Sequence, residues 1–354
     1  MATVRFVDES EYRRLSQNFS LHFLQSIEWG GFKSCHGWKP YRVAVFDPTE
    51  ICVGLGQFLK RRLTSRYTFA YFPKGPVYRD DSPDSASKVV DAINTFLSHA
   101  LKDVVFVRYE TDILEAVDGI VCGNEYIQLW KKLGMHKAPS DNQYRDTRKL
   151  KLGNENETWD SFTSKQRNKI KVAPKKEVVI RKEEDESIID TFYTVYHETA
   201  QRNNIFIHSR DYYREFFRTF VATGIAEFYA AYYQGEMLAG AFIVHYGKES
   251  IYMYSGSCDK ERNRRPNEAM QWEAIREAIR RGSIVYDFWG VAPYGATNHS
   301  WTGLSEFKAG FGGNHIRYIG CYDYPCIPFL YTILMYAEQA RKIILAIKKK
   351  VRRR

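Results

Sequence analysis

The sequence lacks most of the signatures that identify metal-binding, hydrolytic and nucleotide-dependent enzymes. Its six cysteines form no C-x-x-C pair, and no histidine stands at zinc-ligand spacing from them. No G-x-S-x-G, H-E-x-x-H or G-x-x-x-x-G-K-[ST] segment is present, and GFGG (310–313) does not complete a G-x-G-x-x-G. We therefore expect no metal and no organic cofactor, and serine hydrolases, metalloenzymes and dinucleotide-dependent enzymes are disfavoured.

Long apolar runs are also missing. The longest, 327–337, is about half of the ~20 residues that a membrane-spanning helix needs, and Pro328 interrupts it. The N-terminal MATVRFVDESEYRR carries charges where a signal peptide needs an apolar stretch. The length of 354 residues, with 44% hydrophobic residues, predicts two globular domains. We expect a cytoplasmic protein whose cysteines are reduced.

Charge is biased towards cations, with 52 Lys and Arg residues against 42 Asp and Glu residues and a net charge of +10. This excess favours a polyanionic partner such as nucleic acid, an anionic membrane or a phosphorylated substrate, but a basic soluble surface explains it equally well. The chain ends in KKKVRRR after a helical pattern over 330–347. That end is consistent with a solvated tail, an anionic-lipid contact or an RNA contact.

One order of elements occurs twice along the chain. Each copy has three strand-like runs, then a helical pattern, then one more strand. The positions are 41–47, 51–62, 66–72, 86–101 and 104–110 in the first copy and 226–233, 236–246, 250–257, 267–280 and 283–291 in the second. The repeat predicts a duplicated α+β fold with mixed sheets.

The segment GLSEFKAGFGGNHIRY (303–318) is the sharpest candidate for a catalytic site. Lys308 lies between Phe307 and Phe311, and a glycine cluster that allows close approach of a ligand follows it. A poorly solvated cation between aromatic side chains acts strongly on nearby developing negative charge. The alternative is a surface lysine beside core aromatic residues.

Two further segments interleave cations with aromatic residues, a composition that suits a ligand with sugar, base and phosphate groups. FLQSIEWGGFKSCHGWKP (23–40) places Trp29, Lys33 and Trp38 in a loop-like context after a short helix. FIHSRDYYREFF (206–217) contains His208, Arg210, Tyr212 and Tyr213. Core aromatic residues with exposed charges are an equal alternative for both.

A basic stretch, SKQRNKIKVAPKK (164–176), suits an RNA backbone. If it is helical to Val172, Lys165 with Lys169 and Arg167 with Lys171 are same-face neighbours, and Pro174 ends the helix. Like charges at that spacing repel each other unless an anion lies over them. The pattern predicts a phosphate-binding stripe, and a solvated helix face is the alternative.

Together these segments resemble the FemABX family, peptidyltransferases that use aminoacyl-tRNA to add amino acids to peptidoglycan precursors. The similarity extends over nearly the whole chain and rests on five segments in order: AYFPKGPVY (70–78), KQRNKIKVAPKKEV (165–178), RRPNEAMQWEAIREAIRRG (264–282), YDFWGV (286–291) and GLSEFKAGFGG (303–313). It implies two GNAT-like domains, 1–148 completed by 316–354, and 149–315. Because no heptads are visible between 178 and 225, the chain is similar to the shorter FemX type without a coiled-coil arm.

The resemblance also implies roles for single residues. Phe307 and Lys308 match a pair whose lysine stabilises the transition state. Glu110 resembles an acidic residue that ends the last strand of the first domain, and it is the one side chain that we name as a candidate general base. Lys33, with Trp38 in the same segment, matches a lysine that binds the nucleotide phosphates. A second phosphate ligand would be either His208 or Arg210, and further ligand contacts would come from Tyr212 and Tyr254.

The implied reaction moves an amino acid from aminoacyl-tRNA to the side-chain amine of the third stem-peptide residue. The acceptor is UDP-MurNAc-pentapeptide or lipid II, and the lipid-linked form would bring the protein to the anionic inner face of the plasma membrane. Two alternatives remain open at this point. One is a GNAT-type acyl-CoA-dependent N-acyltransferase, disfavoured because DKERNRRPNEAM (259–270) contains no glycine for a pyrophosphate loop. The other is a non-catalytic RNA- or membrane-binding protein.

Overall fold

A computed structural model describes the backbone of residues 2–351 and the side chains of residues 2–340. The chain forms two compact units. Unit 1 comprises 1–115, 121–145 and 318–354, and unit 2 comprises 116–120 and 146–317. The side chains of the KKKVRRR segment lie outside the described residues.

The described residues form seventeen strands and eleven α-helices. In chain order the strands are β1 Thr3–Phe6, β2 Lys39–Phe46, β3 Cys52–Arg62, β4 Thr68–Pro73, β5 Val77–Tyr78, β6 Val104–Glu110, β7 Leu114–Val117, β8 Ile120–Val121, β9 His136–Lys137, β10 Asp146–Lys151, β11 Val179–Glu183, β12 Ala226–Tyr233, β13 Glu236–Tyr246, β14 Glu249–Ser257, β15 Val285–Gly290, β16 Asn314–Tyr318 and β17 Tyr322–Pro325. The helices are α1 Glu9–Ser16, α2 Ile27–Ser34, α3 Pro83–Ala100, α4 Asn124–Lys132, α5 Glu155–Ser161, α6 Ser164–Lys175, α7 Ile188–Asn203, α8 Arg210–Phe216, α9 Pro266–Arg280, α10 Thr302–Ala309 and α11 Pro328–Val351.

Unit 1 is built on a mixed sheet in the order β1-β2-β3-β4-β6-β17-β9, with β5 paired to β3. Strands β2, β3 and β4 form an antiparallel meander, whereas β4 and β6 run parallel because helix α3 provides the crossover. The buried stripe of α3, which includes Val89, Val90 and Ile93, packs on the sheet beside Phe58 and Phe72. Ser82 begins this helix, since its side chain accepts a hydrogen bond from the Ser85 amide.

Unit 2 repeats this plan with strands β12, β13 and β14 antiparallel and β14 parallel to β15. Helix α9 is the crossover, and it packs Ala274, Ile275 and Ala278 into a core with Tyr286 and Phe288 of β15. The sheet order is β11-β12-β13-β14-β15-β10-β16-β7-β8. The duplicated order of elements is confirmed, and so is the α+β class with mixed sheets.

Three local expectations meet different outcomes. In the 178–225 segment no helix among the described residues is longer than the 16 residues of α7, so the expected absence of a coiled-coil arm is confirmed. The 164–176 segment is helical, but α6 continues to Lys175 with Pro174 inside its last turn. No helix in the described part of the chain is both long and apolar enough to cross a membrane.

The loop-like context expected for Trp29 and Lys33 is wrong. Both lie on helix α2, which Ser26 caps by accepting a hydrogen bond from the Trp29 amide at 3.0 Å. Two consecutive glycines obscured this helix, because glycine is a poor helix former. Gly30 allows α2 to approach the Gln57 side chain closely, since a Cβ atom at position 30 would lie 2.4 Å from that side chain.

Candidate catalytic and anion-binding sites

Lys308 lies near the end of α10 with its side chain buried, at 4% exposure. Its Nζ donates hydrogen bonds to the carbonyl oxygens of Gly290, at 2.7 Å, and Trp289, at 3.3 Å. These carbonyls belong to the end of β15, where Trp289 adopts a left-handed φ of 60°. The ammonium therefore sits at the carboxyl end of a central strand of unit 2.

The electrostatics of this site are unusual for a lysine. Burial lowers the pKa of Lys308 to about 7, and the charge of Asp287 opposes the shift only in part. The Asp287 carboxylate accepts hydrogen bonds from the Thr147 hydroxyl and, at 2.7 Å, from the Trp289 amide. Among residues 2–340, no carboxylate forms an ion pair with Lys308 Nζ. A desolvated ammonium held only by carbonyl oxygens is poised to stabilise an incoming negative charge.

The aromatic and glycine neighbours of Lys308 play different parts from those expected. Phe307 and Phe311 pack against the unit 2 core, with ring centroids 5.6 Å apart, and the ring that Nζ approaches is Tyr252 of β14, at 5.9 Å. Helical geometry explains this, because neighbouring side chains on a helix diverge in direction. Gly313, with φ of 72°, allows close approach to the β10 backbone, since a Cβ atom there would meet the Lys149 carbonyl. Gly313 thus serves the close contact between the chain before β16 and β10.

Lys33 lies in a second cationic site, within unit 1. Its Nζ is 5.4 Å from the Trp29 ring centroid and 6.0 Å from that of Trp38, as expected for an interleaved segment. Burial, reinforced by the nearby Arg61 guanidinium, lowers the pKa of Lys33 to about 8. Arg61 also lies over Trp38, at 5.0 Å. Two cations beside one indole make a site that an anion such as a phosphate would stabilise.

Glu110 ends β6 as a buried residue at 4% exposure, with both carboxylate oxygens engaged. The Tyr71 hydroxyl donates to Oε2, and the backbone amides of Asn142 and Gln143 donate to Oε1 at 3.0 and 2.8 Å. The carboxylate therefore holds the loop before β10 in place. This arrangement favours a positioning role for Glu110 over that of an exposed general base.

Glu110, Asp141 and Cys321 bring three potential metal-ligand atoms within 4.8 Å of one another. Their chemistry does not suit a metal ion. Burial, reinforced by the Glu110 charge, raises the pKa of the Cys321 thiol well above its usual range, whereas metal binding needs a thiolate. Asp141 Oδ1 already accepts from the Cys321 amide at 2.7 Å and from Lys137 Nζ at 3.1 Å.

Two candidates between 206 and 217, His208 and Arg210, differ in their position. His208 contacts Tyr212, whereas Arg210 does not. The His208 ring stacks on Tyr212 with centroids 3.9 Å apart, and the hydroxyls of Tyr212 and Tyr254 lie 3.3 Å apart. Arg210 instead pairs with Asp190 at 3.2 Å. Burial raises the pKa of Tyr212 to about 12, so both hydroxyls are protonated hydrogen-bonding groups.

The basic residues of α6 are not equivalent. Lys165 and Lys171 are exposed, and Lys169 is half-buried. Arg167 donates to the carbonyl oxygens of Asp160 and Phe162 at 3.0 and 2.9 Å, and so satisfies the end of helix α5. The continuous stripe expected from spacing is therefore reduced to three lysines, because tertiary contacts engage the arginine.

Sequence reasoning missed three residues of these sites. Arg61, Tyr71 and Tyr252 come from strands and reach the sites across the sheet. The signal for Arg61 was the run of three cations at the end of β3, which alone does not distinguish a site from a solvated strand end. Nothing local marked Tyr71 or Tyr252.

Comparison with known proteins identifies relatives over the whole fold. The FemAB family model matches residues 7–234 and 222–339. A UDP-N-acetylmuramoylpentapeptide-lysine N(6)-alanyltransferase of Weissella viridescens is 25% identical over 338 residues, covering 93% of this chain and 94% of the relative. A lipid II:glycine glycyltransferase of Staphylococcus aureus strain MRSA252 is 21% identical over 406 aligned positions, covering 94% of each chain. That alignment exceeds the 354 residues present here, so the glycyltransferase carries residues with no counterpart in this chain.

Solved structures agree on the fold. The crystal structure of FemX superposes with a TM-score of 0.79 at 19% identity, covering 94% of this chain and all of the other. A tandem GNAT protein from the clavulanic acid biosynthesis pathway superposes with a TM-score of 0.57 at 9% identity, covering 92% of this chain and 99% of that one. The prediction of two GNAT-like domains is confirmed.

Proposed function

The chain belongs to the FemAB family, and from that premise we propose that it transfers an amino acid from aminoacyl-tRNA to a side-chain amine of a peptidoglycan precursor. The buried Lys308 ammonium, held by two carbonyl oxygens, is the observation that carries the proposal. The printed activities of two relatives, an alanyltransferase and a glycyltransferase, support aminoacyl transfer to a precursor of this class.

The reaction needs alignment and charge stabilisation more than a strong acid or base. The precursor amine attacks the ester carbonyl of aminoacyl-tRNA, the C–N bond forms, and the carbonyl electrons move onto oxygen. The intermediate collapses by breaking the ester C–O bond, and the proton lost by the amine ends on the released ribose hydroxyl. Alignment supplies about 7–11 kcal/mol of such a barrier and a donor at the oxyanion about 2.7–4 kcal/mol.

Lys308 is the donor that we place at the oxyanion. A negative oxygen beside Nζ favours the charged form of this lysine and so counteracts the effect of burial on its pKa. Phe307 positions α10 through its packing on the unit 2 core. Glu110 acts at a distance in this proposal, by holding its loop.

Substrate binding is assigned to the remaining cationic and aromatic groups. Lys33 and Trp38, with Arg61, bind phosphates of the precursor, and His208, Tyr212 and Tyr254 contact its polar groups. Lys165, Lys169 and Lys171 bind the tRNA backbone, while Arg167 keeps α6 against α5. The proposal includes a cytoplasmic location with peripheral contact at the anionic membrane face.

An acyl-CoA-dependent reaction is disfavoured by the segment before the second crossover helix. A coenzyme A pyrophosphate would bind at the start of this helix, α9, on the backbone of a glycine-rich loop. Residues 259–265, which precede α9, contain no glycine, and Arg265 pairs with Glu268 of its first turn at 3.6 Å.

Mass spectrometry of the acceptor tests the proposed function. Purified protein is mixed with a pool of charged tRNAs and either UDP-MurNAc-pentapeptide or lipid II, and we expect a mass gain equal to one amino acid residue. Lys308→Met should abolish the gain, whereas Lys248→Met, at an exposed turn of the same unit, should retain it. Absence of any gain with charged tRNA, or release of free thiol from an acyl-CoA, would contradict the proposal.

A further inference from the structure

The cationic excess of the protein is concentrated at its C-terminal end. Residues 341–354, RKIILAIKKKVRRR, contain eight Lys or Arg residues and no acidic residue. The other 340 residues contain 44 cationic and 42 acidic residues, which is a net charge of only +2. The FemAB family match ends at residue 339, so this basic segment lies beyond the part shared with the family model.

The helix that leads into this segment exposes an apolar stripe. In α11, Phe329 is 74% exposed, Ile333 48% and Tyr336 69%. Their spacing of four and three residues places them on one face of the helix. The sequence beyond residue 340 includes the aliphatic run IILAI (343–347). Exposed apolar side chains in a row mark a surface that is covered by a partner or a membrane.

The opposite face of α11 is fixed to unit 1. Tyr331 is buried with Val105 and Phe106 of β6, and Leu63 and Tyr67 of the β3–β4 turn join the same cluster. The end of β3 carries the exposed residues Arg61 and Arg62, and the turn carries the exposed Arg66. The apolar stripe therefore lies on a helix whose other face packs on unit 1, close to three exposed arginines.

A row of aromatic rings joins this helix to the Lys33 site within unit 1. Successive ring centroids lie 5.5 Å apart for Trp38 and Phe69, 5.2 Å for Phe69 and Phe106, and 5.6 Å for Phe106 and Tyr331. Trp38 is the indole shared by Lys33 and Arg61. The candidate phosphate site is thus three ring contacts away from α11.

We propose that α11 and its basic end bind the surface of an anionic bilayer, with Phe329, Ile333 and Tyr336 inserted among the lipids and the cations at the headgroups. In consequence, the acceptor at the Lys33 site is the lipid-linked precursor, whose pyrophosphate lies at the headgroup level; this second step rests on the proposed function. An apolar stripe next to clustered cations matches a bilayer, which offers both environments, whereas RNA offers anionic groups without an apolar layer.

Vesicle sedimentation tests the binding surface. The full chain is mixed with vesicles of phosphatidylcholine that contain either none or about 30% phosphatidylglycerol. We expect binding only to the anionic vesicles, reduced at high salt because screening weakens the attraction. F329S/I333S/Y336S should weaken binding roughly tenfold or more, since the apolar contribution is lost.

Matched variants distinguish binding by this surface from nonspecific adsorption of exposed apolar residues to vesicles. I120S/V121S/I284S removes three other exposed apolar residues of similar exposure and should bind like the wild type. Glutamine at Lys348, Lys349, Lys350, Arg352, Arg353 and Arg354 should also weaken vesicle binding roughly tenfold or more. Equal vesicle binding by the stripe variant and the wild type would overturn the proposal. So would a glutamine variant that loses affinity for tRNA but not for vesicles.

Activity assays separate failure of this inference from failure of the proposed function. With lipid II in anionic vesicles, the stripe variant should transfer roughly tenfold more slowly than the wild type at limiting lipid, while its fold is checked by thermal unfolding. Transfer to UDP-MurNAc-pentapeptide alone, with no use of lipid II, would overturn the lipid-linked acceptor but uphold aminoacyl transfer. No transfer to either acceptor would contradict the proposed function, and the vesicle result would still decide the membrane surface.

Discussion

Among residues 2–340 each unit buries one lysine, and the two lysines have different partners. Lys74 of unit 1 is 2% exposed, pairs with Asp112 at 3.1 Å and lies 3.2 Å from the centroid of the Tyr318 ring. Lys308 of unit 2 is 4% exposed, and within the described side chains its hydrogen bonds go to the backbone carbonyls of Trp289 and Gly290. Both occur in segments that resemble the family, so local sequence does not distinguish them.

The difference indicates which lysine does chemistry. A buried cation with a carboxylate and an aromatic ring is compensated, and its charge is used within the fold. A buried cation without a carboxylate partner keeps its charge available, at a cost in stability that burial imposes on its protonated form. We therefore assign a structural role to Lys74 and a catalytic role to Lys308.

The largest predicted effect is on turnover. Lys308→Met should lower kcat for aminoacyl transfer by about a hundredfold to a thousandfold, the range found when an oxyanion donor is removed. Lys74→Met should change kcat less than threefold, because that ammonium is already neutralised by Asp112. Steady-state rates with both variants check this, and a similar loss in the two variants would remove the distinction.

The second prediction concerns stability and its dependence on pH. Lys308→Met should raise the free energy of unfolding by about 1 to 4 kcal/mol near pH 7, since a buried charge is replaced by an apolar group. Lys74→Met should lower it by about 2 kcal/mol through loss of the ring contact.

The sign of the pH effect follows from the pKa of Lys308, about 7 when folded and about 10.5 when unfolded. Between these values the unfolded chain binds more protons, so the stability of the wild type rises with pH. The advantage of Lys308→Met should therefore shrink from pH 7 to pH 10 in denaturant titrations. A constant difference would show that Lys308 is not desolvated.

The third prediction extends the comparison to Lys33, a partly buried cation beside a second cation. Binding of UDP should raise the pKa of Lys33 from about 8, because phosphate favours the ammonium form. Affinity should accordingly fall as pH rises above 8, and Lys33→Met should weaken binding about tenfold and remove the pH dependence. Calorimetric titration with UDP measures both, and an unchanged pH profile in the variant would contradict the assignment.

The smallest predicted effect distinguishes His208 from Arg210. His208→Ala should raise KM for the precursor a few-fold, because it removes the ring stacked on Tyr212. Arg210→Ala should leave KM nearly unchanged, since its guanidinium faces Asp190. A larger effect of the arginine variant would reverse the choice between them.

Much of the scaffold was predictable because it rests on local periodicity. The meanders and the buried stripes of α3 and α9 carry the alternation and the helical spacing that burial imposes. Helix α2 was missed because Gly30 serves packing against Gln57 at the expense of helix propensity.

The candidate sites were only partly predictable, because their partners come from distant strands. Lys308 stood out beside its phenylalanines, yet the groups that define its site are the β15 carbonyls and Tyr252. Arg167 was expected to bind an anion, but it caps α5 through contacts that spacing does not reveal. Periodicity predicts which face of a helix or strand is buried, whereas a functional site depends on which side chains from distant elements come together.

The most direct test of the account measures binding and single-turnover rate on the same preparation of Lys308→Met. We predict that the affinities for the precursor and for charged tRNA stay within about threefold of the wild type, while the single-turnover rate falls by about a hundredfold or more. That result would place the effect of Lys308 in the transition state. Loss of affinity together with the rate, or an unchanged rate, would contradict it.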